Sequence, residues 1–124
     1  MVGTKDPMKL RRIIEILEAR LICGDGFLEQ EVETAGASDL MSDILAGLSS
    51  GCLLLTGLTT IQVIRTAMVA GVGAVVFVRN KRPSEEVIEL ARAENLPLIS
   101  SPYSMFVSCG RLHGQGITGL NGFR

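Results

Sequence analysis

The sequence predicts an α/β fold: a three-layer sandwich with a small, mainly parallel sheet flanked by helices. Three observations predict it. Cys52-Leu53-Leu54-Leu55, Ala74-Val75-Val76-Phe77-Val78 and Pro97-Leu98-Ile99 are apolar runs without alternation, as expected of strands buried on both faces. Helical spacing of apolar residues fills the gaps between them. The runs begin about twenty-two residues apart, close to the shortest strand-helix repeat, and such repeats specify parallel strands with right-handed crossovers.

Taken in chain order, Asp6-Pro7 reads as a helix start, with Asp as cap and Pro at the first helical position. Leu10, Ile13, Ile14 and Leu17 then fall on one stripe. Arg20-Leu21-Ile22-Cys23 reads as a short strand ended by Gly24-Asp25-Gly26, and residues 30–37 read as extended. Ser38 or Asp39 is expected to cap a second helix carrying Leu40, Ile44, Leu45 and Leu48. After the Cys52 strand, a helix over about residues 60–70 is expected to turn Ile61, Ile64, Met68 and Val69 inward and to end at Gly71. A third runs over about residues 84–94 with Val87, Ile88, Leu90 and Ala91. Ser101-Pro102 reads as the start of a last helix through Tyr103, Phe106 and Val107 to Leu112. The expected organisation is an N-terminal tail (1–7), one domain (8–112) and a flexible glycine-rich C-terminal tail (113–124).

Composition narrows the function. The 124 residues suit one domain, and 47% of them are hydrophobic, enough for a core. Trp is absent and aromatic residues make up 4%, so stacking platforms for bases are scarce. A net charge of −1 without a clustered basic face disfavours nucleic acid, since Arg79, Lys81 and Arg82 read as a solvated loop. Cys23, Cys52 and Cys109 are far apart and odd in number, which predicts neither a disulfide framework nor zinc. Free thiols, no signal peptide and no apolar run of spanning length give the expectation of a cytoplasmic protein away from membranes.

Motifs for catalysis fall short. Gly114-x-Gly116-x-x-Gly119 has the letters of a dinucleotide fingerprint, but it follows a helix instead of a strand. No phosphate-binding G-x-x-x-x-G-K-[ST] loop occurs. His113 is the one histidine; it stands at i, i+4 to Cys109, a spacing that a core-facing thiol and a helix-end histidine favoured by the dipole explain better than a catalytic pair does. Asp39 and Asp43 share that spacing, but two carboxylates are a thin basis for a metal. The expectation is therefore no enzyme, no catalytic residue, no metal and no cofactor.

A binding site is expected at the carboxyl ends of the strands, where open parallel sheets take their ligands. Those ends supply Thr56, Gly57 and Thr59, then Arg79, then Ser100 and Ser101, with Ser38 and Asp39 as a second rim. Each exit precedes a helix start, whose free N–H groups favour an anion.

The segments Ala37-Ser38-Asp39-Leu40-Met41-Ser42-Asp43-Ile44-Leu45, Leu55-Thr56-Gly57-Leu58-Thr59-Thr60-Ile61-Gln62, Ala70-Gly71-Val72-Gly73-Ala74-Val75-Val76-Phe77-Val78 and Leu98-Ile99-Ser100-Ser101-Pro102-Tyr103 together resemble a DRTGG domain over about residues 8–112. That family is similar in fold to the N-terminal domains of HPr kinase/phosphorylase and of some Mur ligases. Its members accompany CBS pairs or enzymes, so the resemblance implies a regulatory or assembly role without a settled ligand. The chain departs from the motif that names the family. Gly57-Leu58-Thr59-Thr60 stands without the Asp-Arg, and Val78-Arg79-Asn80-Lys81 without the Thr-Gly-Gly. No binding residue carries over, and the likeness to HPr kinase stops at its non-catalytic half. The function expected is a non-catalytic regulatory module for a small anionic metabolite, a nucleotide or a partner protein, working as a homodimer. A scaffold or dimerisation domain without a small ligand is the alternative, and a hydrolase or transferase is the third reading.

Overall fold

The computed structural model describes residues 7–47 and 50–119. The three apolar runs become adjacent parallel strands, β5 (Leu53–Thr56), β6 (Ala74–Phe77) and β7 (Leu98–Ser100). Leu54 lies opposite Val75, and Val75 opposite Leu98. Beyond β5 stand β4 (Thr34–Ala37) and β8 (Thr118–Gly119), both parallel, and beyond β7 stands β2 (Arg20–Cys23), antiparallel. The order across the six strands is β2-β7-β6-β5-β4-β8. A separate antiparallel pair joins β1 (Met8–Lys9) to β3 (Glu31–Val32).

Alternation in the buried strands assigns the helices to two layers. Leu54, Val75, Phe77 and Leu98 meet Ile44 of α2 (Met41–Gly47), Ile64 and Ala67 of α3 (Ile61–Ala70), and Val87, Ile88 and Ala91 of α4 (Glu85–Ala93). Leu53, Leu55, Val76 and Ile99 face the other way, onto Leu10, Ile13 and Leu17 of α1 (Leu10–Leu17) and Leu112 of α5 (Met105–Gly114). Successive strands from β4 to β7 step in one direction, and a crossover of constant hand keeps α2, α3 and α4 on one face. The return from β7 to β8 steps the other way, and α5 changes face. Each fully buried Leu or Ile contributes about 1.5–3 kcal/mol through the area it removes from water.

Several expected boundaries shift. Asp6 lies outside the described residues, and α1 starts at Leu10 because Met8–Lys9 is drawn into the β1–β3 ribbon. Backbone replaces the expected cap: the Leu10 and Arg11 amides donate to the carbonyls of Gln30 (2.9 Å) and Leu28 (3.0 Å). The second helix buries Ile44, whereas Leu40 and Leu45 are exposed; Leu48 lies outside the described residues. On α3 the inward stripe is Val63, Ile64 and Ala67, and Met68 and Val69 face out. Ser104, not Ser101, caps α5, its side chain accepting from the Val107 amide; Phe106 and Val107 are exposed, while Ser108 and Leu112 are buried. Residues 113–119 also depart from the expected tail. They finish α5 and add β8, which pairs Thr34 with Thr118 and Ala35 with Gly119. Residues 120–124 lie outside the described residues.

Candidate functional site

The carboxyl ends of β4, β5, β6 and β7 open onto one rim. At the exit of β5, Thr56 is fully buried, and its hydroxyl donates to Asp39 Oδ1 at 2.9 Å. The Gly57 amide donates to the same oxygen at 2.6 Å, and the Leu58 amide donates to Thr56 Oγ1 at 3.2 Å. From the β6–α4 loop, Lys81 Nζ donates to the Gly57 carbonyl at 2.8 Å. The Ser100 hydroxyl, at the exit of β7, donates to the Lys81 carbonyl at 2.7 Å. One chain of bonds thus links Asp39, Thr56, Gly57, Lys81 and Ser100 across four strand exits.

The topology changes face between β6 and β7, since β6 leads to α4 and β7 to α5. Open sheets form a crevice at such a switch point. Here backbone bonds bridge it: the Arg79 amide donates to the Tyr103 carbonyl and the Asn80 amide to the Ser101 carbonyl, each at 2.7 Å. Arg79 and Asn80 both take left-handed backbone angles (φ 57° and 60°), a conformation that costs a non-glycine residue about 1–2 kcal/mol. These bonds offset that cost. The paired turn directs Lys81 back toward β5 and leaves Arg79 exposed, with no side-chain bond or ion pair among the described residues.

Not every residue expected at the rim presents its side chain there. Ser101 is fully buried, and its hydroxyl pairs with Ser108 of α5 at 2.9 Å. Ser38 accepts from the Leu40 amide at 3.0 Å and shapes the entry to α2. Asp39 turns to β5 instead of capping α2. Thr59 is half-buried just before α3. No side chain caps α3 and no acidic residue stands in its first turn; the Val63 amide bonds back to the Thr60 carbonyl at 3.1 Å, and the Ile61 and Gln62 amides before it are left for solvent or a ligand. At α4, Glu85 and Glu86 already hold that place. Sequence reasoning missed Lys81, which it grouped with a solvated basic loop. The ion pair of its neighbour Arg82 with Glu85 fits that description; the inward bond of Lys81 does not.

The other constellations resolve differently. Cys109 and His113 lie one turn apart on α5 and line a shallow apolar cleft of ≈ 190 Å³ with Ala35, Ala37, Leu55 and Ile117. Burial pushes the Cys109 thiol up, away from the thiolate a nucleophile requires. Asp43 is exposed on α2 while Asp39 is held at β5, so the two do not form a carboxylate pair. Among the described residues no group of three or more His, Cys, Asp or Glu side chains is placed to hold a metal. The Gly114–Gly119 segment runs from helix to strand, the reverse of a dinucleotide-binding turn. No described helix is long and apolar enough to cross a membrane.

A family model, the DRTGG domain, matches residues 12–114. The chain belongs to the DRTGG domain family. No curated protein matches the sequence. Among solved structures, this DRTGG domain is similar to the CBS and DRTGG domains of the regulatory region of Clostridium perfringens pyrophosphatase, complexed with the activator diadenosine tetraphosphate. The two are 18% identical and superpose with a TM-score of 0.71, over 84% of this chain and 45% of that one. The domain therefore spans less than half of that structure, and the likeness shows a shared fold.

Proposed function

We propose that this DRTGG domain is a non-catalytic regulatory module that binds a small phosphorylated anion, a nucleotide or metabolite, at the β5–α3 rim, and that it works as a homodimer. One observation carries the reading: α3 begins with neither a capping side chain nor an acidic first turn, and Lys81 sits on that same turn. Free N–H groups and a cation at a helix start favour phosphate. The Clostridium perfringens relative carries its DRTGG domain in a regulatory region complexed with a dinucleotide activator, which supports the same ligand class. The raised Cys109 thiol supports a non-catalytic role.

The test is a thermal-shift screen of nucleotides, inorganic phosphate and carboxylates, beside a mass measurement in solution. A ligand that binds the folded state raises the melting temperature as its concentration exceeds Kd. Arg79→Ala should weaken such an anion by about 1–3 kcal/mol, the range for a charged hydrogen bond. Unchanged affinity would remove Arg79 from the site. A second reading, a scaffold without small ligand, rests on exposed Leu45, Met68 and Val69 on the neighbouring helices α2 and α3. A dimer indifferent to every ligand in the screen would favour it; a monomer would exclude both dimeric readings.

A further inference from the structure

Helices α2 and α3 lie side by side and run parallel, because each returns from one of the parallel strands β4 and β5. The Thr66 hydroxyl donates to Met41 Sδ at 3.4 Å, which sets the start of α2 level with the middle of α3. Measured from that contact at the helical rise of about 1.5 Å per residue, Leu45 and Val69 differ in height by about 2 Å. Both are exposed apolar side chains, at 52% and 78%. By the same measure Asp43 and Arg65 differ by about 5 Å, within the span of an arginine side chain. They too are exposed, and they are the one charged residue of each helix.

The two charges are unmatched within the chain. Every arginine of α1, α4 and α5 pairs with a carboxylate: Arg11 with Glu29, Arg12 with Glu15, Arg92 with Glu89 and Arg111 with Glu18. Arg65 has no such partner among the described residues, and Asp43 has no cation. The first turn of a helix favours a carboxylate at Asp43 on its own account; the middle of α3 gives Arg65 no such reason. A face with apolar side chains, one acid and one base is self-complementary under a two-fold axis, where each contact occurs twice. An axis along the groove between two parallel helices lays α2 of each copy over α3 of the other at unchanged height. Leu45 then meets Val69 and Asp43 meets Arg65. We infer that the α2–α3 face seats a second copy of this chain, with Leu45–Val69 contacts closing the groove and two Asp43–Arg65 ion pairs fixing the register. The inference rests on the homodimer proposed above, and it adds the surface and the pairing.

Sedimentation equilibrium of the full chain over a dilution series tests it, with circular dichroism to check that each variant folds. The wild-type chain should show the mass of two chains. Asp43→Arg and Arg65→Asp each set like charges opposite one another twice, and each should weaken association at least about ten-fold. Mixed in equal amounts, the two variants should associate again, because the mixed dimer matches an acid to a base at both positions. Val69→Lys, at the most exposed apolar position of the face, should weaken association and should not be rescued by either charge variant. A wild-type dimer that neither charge variant weakens, or two folded charge variants that stay monomeric when mixed, overturns this interface yet leaves a homodimer standing. Should the charge variants fail to fold, a dimer indifferent to Val69→Lys overturns it equally. A wild-type chain that is monomeric at every concentration overturns both the interface and the homodimer.

Discussion

At the scale of single residues, the molecule separates groups that carry charge outward from groups that are merely polar. The hydroxyls of Thr56 and Ser101 are fully buried and spent on internal bonds; the charged ends of Arg79, Lys81 and Asp39 stay within reach of solvent. A buried hydroxyl left unbonded costs about 1–3 kcal/mol, which explains why the serines and threonines at strand ends pair first with the protein. Cys109 illustrates the same logic for reactivity. Its thiol is half-buried against the apolar cleft, and desolvation of the thiolate pushes it up. Its modification by a disulfide reagent should be slow at neutral pH and rise only well into the alkaline range. His113→Ala should leave that profile unchanged, because no bond joins the two side chains among the described residues. A His113-dependent rate at neutral pH would restore the catalytic pair. Lys81 and Arg79 were hard to separate in the sequence, since both lie in one basic loop. What distinguishes them is a backbone reversal at Arg79–Asn80, which no composition rule signals.

At the scale of elements, the strands were legible and the helix faces less so. Four apolar residues in a row at 52–55 and again at 74–77 have no soluble reading other than burial on both sides. Helix α1 was also legible, because Arg11, Arg12, Glu15 and Glu18 mark its outer faces. Helix α3 is apolar almost all round, so its inward stripe follows from the approach to the sheet and not from contrast within the helix. The result is a rotation of the expected face, from Met68 and Val69 to Val63 and Ala67. Truncation separates the two faces: Ile64→Ala should cost about 2–5 kcal/mol of unfolding free energy, as for other buried large-to-small changes. Met68→Ala should change it by within about 0.5 kcal/mol, as an exposed site does. Comparable losses at both positions in denaturant titration would show that Met68 is covered, as the dimer reading requires of an interface there. The edge strand β8 was illegible for a different reason. Gly116-Ile117-Thr118-Gly119 has the letters of a loop, and its two paired residues depend on β4 offering a free edge.

At the scale of the whole molecule, three sets of contacts hold the α1–α5 layer together and tie it to the β1–β3 ribbon. Ile117 and Leu112 pack with α1 in the core beneath it. Arg111 of α5 donates to the Ile16 carbonyl at 2.8 Å and pairs with Glu18 at 3.0 Å. Glu29, in the loop before β3, pairs with both Lys9 and Arg11 and ties the start of α1 to the β1–β3 ribbon. The last of these has a pH signature. Hydrogen bonds from Lys9 and then Arg11 lower the Glu29 carboxyl to about 2, against an ordinary 4.5. A folded value below the unfolded one means that the unfolded chain binds the proton first. The pair's contribution is therefore complete above pH 4.5 and is lost as the pH falls toward 2. Lys9 is raised above its ordinary 10.5 by the hydrogen bond it donates to the same carboxylate, so the contribution also fades as the pH climbs through that raised value. Both side chains are more than half exposed, and salt screens such pairs, so the effect is small beside the core. Glu29→Gln should lower the melting temperature at neutral pH, and the gap from wild type should close on the acid side. Added salt should shrink it. Melting curves of the two chains that stay parallel from neutral pH down to pH 2 would show that Glu29 is unpaired in solution, leaving α1 held by Arg111 and the apolar layer.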